Sequence, residues 1–292
     1  MDKIEKIIRK IEQIPTLPIV SRHIMTLLED DEVPLKKIAE VIEKDMALAA
    51  NLLKIANSPF YGTLSKISSI DHAIAILGIS EVKAMLMASS IHHFFSTPET
   101  HSLDRKRFWH HSIICSQIAK HLSLHFKTGG EDGLFLAALI HDMGKIIFDR
   151  YFHDEFITII DTIREEHESF SMVEKRVLGA THYQIAAKIM QQWNFPESVT
   201  MLVFYHHAPW QDKNHTTSSI IVYLANILAK IVGYPCMEEE KKIDVTSFCK
   251  SKAMKYIVQS GFDLDEKKFR TLIKNIRKLV ADEGRSILSI FQ

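Results

Sequence analysis

Isoleucines at positions 4, 7, 8 and 11 recur at i, i+3, i+4 and i+7, which is one face of an amphipathic helix. Pro15 and Pro18 break that period, and the stretches 21–30, 34–45 and 46–57 then repeat it as three further helices. Pro34 opens the second at a first-turn position, where its missing N–H is tolerated. The run SPFYG at 58–62 reads as a loop. A short helix is predicted from Ile70 to Leu77, stopped by Gly78, with Ser80 placed to cap the helix over 81–95. Beyond Pro98 the period stays helical. Alternating β-branched stretches are nearly absent, and the 10 glycines and 8 prolines stand mostly between periodic segments. The expected class is all-α, a multi-helix bundle preceded by an N-terminal helical lobe.

Composition narrows the function classes. With 292 residues and 46% apolar content the chain can bury a sizeable core as one large domain or two modest ones. Thirty-six basic residues offset 36 acidic ones, so no net field draws nucleic acid or anionic lipid, and neither is expected as a partner. No apolar run reaches the roughly 20 residues that span a bilayer. Cys115, Cys236 and Cys249 are odd in number and widely spaced, which argues against a disulfide framework or a thiolate zinc knot and for a reducing cytoplasm. The charged run MEEEKK at 237–242 reads as a solvated loop or helix start. It marks where a C-terminal helical extension, 236–292, begins; that extension is expected to pack on the same domain.

Sixteen histidines are the compositional oddity, and helical phase separates them. His111 shares a stripe with Ile114, Cys115, Ile118 and Leu122, so it faces inward, whereas His110 lines up with Gln117 and His121. His182 lines up with Ala186, Ile189 and Trp193 on a helix expected to end near Phe195, before Pro196. Two more apolar helices end in polar doublets: EDGLFLAALIHD in His141-Asp142 and ESVTMLVFYHH in His206-His207. A lone inward histidine is ordinarily a hydrogen-bonded core residue. Five imidazoles on separate helix faces and ends, with one carboxylate among them, instead suit a divalent ion held between facing helices.

HDMGK at 141–145 is similar to the His-Asp signature of HD-superfamily metal-dependent phosphohydrolases. IPTLP (14–18), IAEVIEKDMALAANLLKIANSPFYG (38–62), SSIDHAIAILG (68–78), WHHS (109–112), GATHYQIAAKIMQQWNFP and YHH accompany it along the chain. With these segments in this order over about residues 8–230, the chain resembles the HDOD family, the HD-related output domains of bacterial signalling proteins. The resemblance implies an HD-like bundle at about 98–235 behind a helical lobe at about 1–97. It also implies metal ligands at His111, His141, Asp142, His182, His206 and His207, and a phosphate-directed lysine at Lys145. Two departures stand out: Asn226 takes the place of the final aspartate of HD sites, and Arg107 that of a glutamate used by trinuclear HD-GYP enzymes. Gly233-Tyr234-Pro235 matches the HD-GYP tripeptide in letters only, because it lies beyond the next helix.

What the resemblance implies about function is a regulatory signalling module that keeps one or two divalent transition metals (Fe, Mn, Zn or Ni) and works through protein partners. The alternative is a metal-dependent phosphohydrolase acting on a nucleotide, a cyclic dinucleotide or another phosphate-containing ligand. There Asp142 would hold the metals and Lys145 would stabilise developing charge. Metal identity, partner and oligomeric state are not legible at this level.

Overall fold

The computed structural model describes residues 7, 9, 34–43, 46–57, 66–95, 102–129, 133–240 and 242–283. All regular structure among them is helical, so the chain is all-α as expected, and no helix among them is long and apolar enough to cross a membrane. The predicted segments at 14–18, 21–30 and 58–62 lie outside the described residues.

The chain divides into two compact units, one comprising Met1–Thr16 and Pro98–Lys274, the other Leu17–Thr97 and Asn275–Gln292. The second holds α1 (Leu35–Glu43), α2 (Met46–Ala56), α3 (Ile70–Leu77) and α4 (Ile79–Phe95). Their apolar stripes meet through Ile38, Ile42, Leu52, Ile70, Ile74 and Val82, all buried. Pro34 lies just before α1 rather than in its first turn, its carbonyl accepting from Lys37 N–H at 2.8 Å. Asn57 braces the chain across the 58–65 segment: its side-chain amide donates to Ile67 C=O at 2.8 Å and its oxygen accepts from Ile67 N–H at 2.8 Å. Ser80 does not cap a helix. The break is Gly78 alone, at φ 84°, and α4 starts at Ile79, placing Ser80 inside it.

The first unit is built on α5 (Arg105–Phe126), capped by Asp104, which accepts from Arg107 N–H at 3.0 Å. α6 (Leu134–Ile140) and α12 (Thr216–Ile231) lie along it, while α10 (His182–Gln192) lies against α7 (Met143–Tyr151) and α11 (Glu197–Tyr205). α8 (His153–Glu166) and α9 (Phe170–Val177) connect α7 to α10, and α13 (Val245–Cys249), α14 (Lys252–Gln259) and α15 (Glu266–Glu283) follow α12, α15 belonging to this unit only through Lys274. α10 ends at Gln192, earlier than the apolar stripe suggested. Asn194 adopts a left-handed φ of 57°, and Phe195 N–H returns to Met190 C=O at 2.9 Å.

Gly144 permits a close approach between two helices. A Cβ there would fall 2.0 Å from the backbone oxygen of His182 and 2.6 Å from its carbonyl carbon. Only glycine lets the start of α7 touch the start of α10.

Candidate metal centre

Helix ends deliver most of the side chains. His141 and Asp142 occupy the turn between α6 and α7, His182 is the first residue of α10, and His206 and His207 follow the last residue of α11. His111 comes instead from within α5. His111, His141, Asp142, His182 and His206 are all 0% exposed, and Lys145 and Asn226 are also buried.

The outer ring nitrogens fix the tautomers. His111 Nδ1 donates to Tyr234 C=O at 2.6 Å, His141 Nδ1 to Ala138 C=O at 2.8 Å and His206 Nδ1 to Val203 C=O at 2.6 Å. A carbonyl only accepts, so these Nδ1 atoms carry the protons and Nε2 presents its lone pair inward. His182 Nδ1 rests on Glu174, 2.7 and 2.9 Å from its two oxygens, and the His182 amide donates to the same carboxylate at 3.0 Å.

The four Nε2 atoms then converge on one carboxylate in two groups. His111 and His141 lie 3.7 and 3.5 Å from Asp142 Oδ2, with their Nε2 atoms 3.4 Å apart. His182 and His206 lie 3.2 and 3.6 Å from Oδ1, also 3.4 Å from each other, and His207 Nε2 is 3.1 Å from His182 Nε2. Two nitrogens about 2.0–2.1 Å from a tetrahedral ion are about 3.4 Å apart. Lone pairs facing each other at that spacing repel unless a cation lies between them. Asp142 Oδ1 and Asn226 Oδ1 are buried without a hydrogen-bond partner. The donor set therefore fits a divalent metal centre at Asp142, with His111 and His141 to one side of the carboxylate and His182, His206 and His207 to the other.

Electrostatics agree with that fit. Burial pushes His111 and His206 down to about 3, neighbouring imidazoles adding to the effect, so both stay neutral and free to ligate. Burial also opposes charge on His182, but Glu174 and Asp142 together outweigh it and raise its pKa, so protons and an ion compete for that nitrogen. Burial works against ionisation of Asp142, yet Lys145 and His141 hold it well below the usual carboxylate range.

Lys145 is where the structure adds what the sequence did not show. Its ammonium, 1% exposed, donates to Asp142 Oδ2 at 2.8 Å and to Glu240 Oε1 at 2.8 Å. Glu240 also pairs with Lys230 at 3.2 Å and accepts from Cys236 N–H at 3.2 Å, and these cations bring its pKa down to about 2 against the opposing effect of burial. The run 237–242 is thus not simply a solvated loop, since Glu240 keeps only 5% of its side chain exposed. Glu239 pairs with Arg164 at 2.7 Å and Glu238 with Arg107 at 3.7 Å. Three successive glutamates strap onto cations from different helices, and Arg107, the departure noted above, is one of them. The strap also borders a surface cavity of about 720 Å³ with Ile163, Arg164 and His167.

Sequence reading missed Glu174, Glu240 and the backbone of Tyr234. Glu174 and Glu240 carried no signal, being glutamates in charged runs. Tyr234 belongs to the tripeptide set aside as chance, and its carbonyl, not its side chain, orients His111.

The HDOD domain model matches residues 14–209, more than half of the chain. Among solved structures, an HDOD domain protein of unknown function from Geobacter sulfurreducens aligns with a TM-score of 0.75 and 23% identity, covering 99% of this chain and 97% of that one. A candidate phosphohydrolase from Shewanella amazonensis SB2B aligns at 0.76 with 17% identity, covering 98% of each. A candidate signal transduction protein from Marinobacter aquaeolei VT8 aligns at 0.70 with 22% identity, covering 96% of this chain and 60% of that one. An uncharacterized protein of Treponema pallidum (strain Nichols) is 22% identical over 268 residues; the match takes in 88% of this chain and 51% of that protein, so the chain spans about half the length of this curated relative. With the domain match running from the N-terminal lobe through the histidine cluster, the chain belongs to the HDOD family.

Proposed function

We propose that the chain is a regulatory HDOD module that holds one or two divalent transition metals at the Asp142 cluster and acts through contacts with signalling proteins, with little or no turnover. One observation carries this reading: every member of the cluster except the partly exposed His207 is buried, and Lys145, the cation nearest to it, is already neutralised by Asp142 and Glu240. An incoming phosphate would have to replace the Glu240 carboxylate to reach that ammonium. Asn226 contributes a neutral oxygen where a second carboxylate would help offset two dications. The metal's work on this reading is to hold α5, α7, α10 and α11 together. Three free cysteines suit a reducing cytoplasm.

A second reading, a metal-dependent phosphohydrolase, is favoured by the two ligand groups sharing one carboxylate. Bound ions would supply an activated water and polarise a phosphoryl oxygen. Of the chain's own groups, Asp142 would position both ions, and Lys145, once released from Glu240, would bind the anionic oxygen. The descriptions of the Shewanella and Marinobacter proteins divide along the same line, and at such identities they support the fold alone.

Metal analysis of the purified protein with a screen of phosphodiester and nucleotide substrates separates the two. The regulatory reading expects stoichiometric Fe, Mn, Zn or Ni that is lost in Asp142→Ala, and no turnover under varied metal loading. Turnover abolished by Asp142→Ala with the fold retained would replace it with the second reading.

A further inference from the structure

Cys115 lies one helical turn beyond His111 on the inward stripe of α5, and its thiol is 1% exposed. Its Sγ is 3.4 Å from His111 Nε2 and 3.9 Å from Ala225 C=O. The His111 nitrogen is deprotonated, its ring proton being committed to Tyr234 C=O, so the thiol is the donor of that pair. The His111 and His141 nitrogens and the Cys115 sulfur all lie within 4.8 Å of one another. An ion with nitrogen at about 2.0–2.1 Å and sulfur at about 2.3 Å, in tetrahedral geometry, separates the two atoms by about 3.6 Å. The observed 3.4 Å is close to that edge, as the 3.4 Å between His111 and His141 Nε2 matches the nitrogen–nitrogen edge.

Charge supplies the second argument. Two neutral imidazoles and a share of Asp142 leave a dication largely uncompensated in a fully buried site, and Asp142 Oδ2 is itself shared with the Lys145 ammonium. Cys115 is the acid that can make up the difference. A thiol that coordinates a bound dication is deprotonated outright.

We propose that Cys115 is a thiolate ligand of the His111/His141 subsite, giving a two-imidazole, one-sulfur set that selects zinc, cobalt(II) or iron(II) over magnesium and manganese. When the ion enters, the S–H bond breaks, its proton leaves to solvent, and the sulfur lone pair forms the metal bond. This inference rests on the metal-binding reading above, and deepens it.

Cobalt(II) titration of the full-length metal-free chain tests it by absorption. Expected are visible d–d bands from a tetrahedral site together with a near-ultraviolet sulfur-to-cobalt charge-transfer band. Cys115→Ala should lose the charge-transfer band and keep d–d absorption from the imidazoles, while Cys236→Ala and Cys249→Ala keep both. Zinc affinity of Cys115→Ala should fall by at least the about 10–100-fold that loss of an outer-shell partner costs. X-ray absorption at the zinc edge of the wild-type protein should find one sulfur scatterer at about 2.3 Å, a measurement that stands even if Cys115→Ala does not fold. Cobalt d–d bands without charge transfer, or a charge-transfer band lost only in Cys236→Ala, would overturn the thiolate ligand and leave the metal reading intact. Failure of the chain to take up either ion would overturn both.

Discussion

Glu174 grips His182 twice, accepting from the ring Nδ1–H and from the backbone N–H. Glu174→Gln keeps the shape but removes the charge that makes Nε2 a better donor, so metal affinity should fall about 10–100-fold with little change in helicity, as isothermal titration can read. A Glu240→Gln substitution acts on the other side of Asp142. It frees the Lys145 ammonium from one of its two carboxylates, and inorganic phosphate should then bind at least several-fold more tightly than to wild type, measured by the same titration. The pH dependence of the metal-free chain follows from the same residues. His111 and His206, depressed to about 3 by burial, remain neutral when folded but take up protons when unfolded below about 6.5. The unfolded state therefore binds more protons, and stability falls as pH drops from about 6.5 towards 3. His182, whose pKa is raised, works in the opposite direction, but burial also holds His207 well below its usual value, so it is one residue against three. Thermal melts of the chelated protein should show a lower Tm at pH 5 than at pH 7, and saturating metal should steepen that loss, because protons compete for the same nitrogens.

At the scale of elements, the contact between α7 and α10 governs the second group of ligands. Gly144→Ala puts a methyl against the His182 backbone, which has no flexible end to yield. Overpacking of this kind costs about 1–3 kcal/mol, roughly 2–12 °C in Tm for a unit of this size. Because the displaced residue is His182 itself, the expected signature is specific: metal held by the His182/His206/His207 group is lost and metal held by the His111/His141 group is kept, so that a chain carrying two ions loses half of its metal content as found by mass spectrometry. The strap is the other decisive element. Its three glutamates are held by Arg107, Arg164, Lys145 and Lys230, so the chain after α12 belongs to the candidate site although it lies beyond the residues that the family model matches.

For the whole molecule, the two compact units give metal binding a testable locality. All the ligand candidates lie in the unit that contains Pro98–Lys274. Metal at 100 times its dissociation constant adds about 2.7 kcal/mol to the state that binds it. Calorimetry should show one transition moving up by several degrees on metal addition. Hydrogen exchange should gain protection across 105–240 and change little across 66–95. Uniform protection of both stretches would instead mean that the chain responds as a single cooperative body.

The helical period of the apolar residues determined the all-α class by itself, because a stripe at i, i+3, i+4 and i+7 has one way to be buried. Helical phase also marked His111 and His182 as inward, and the polar doublets ending α6 and α11 are visible as interruptions of apolar runs. What only the tertiary structure decided is which groups from distant helices meet. Glu174 and Glu240 are indistinguishable in sequence from solvated glutamates, and Cys115 from an ordinary core thiol; each acquires a role from what lies within about 4 Å in space. Backbone acceptors leave still less trace. The carbonyls of Ala138, Val203 and Tyr234 orient three imidazoles, and a carbonyl is the same on every residue. Side-chain pattern encodes burial, whereas coordination geometry depends on distances and angles between segments that only the folded chain sets.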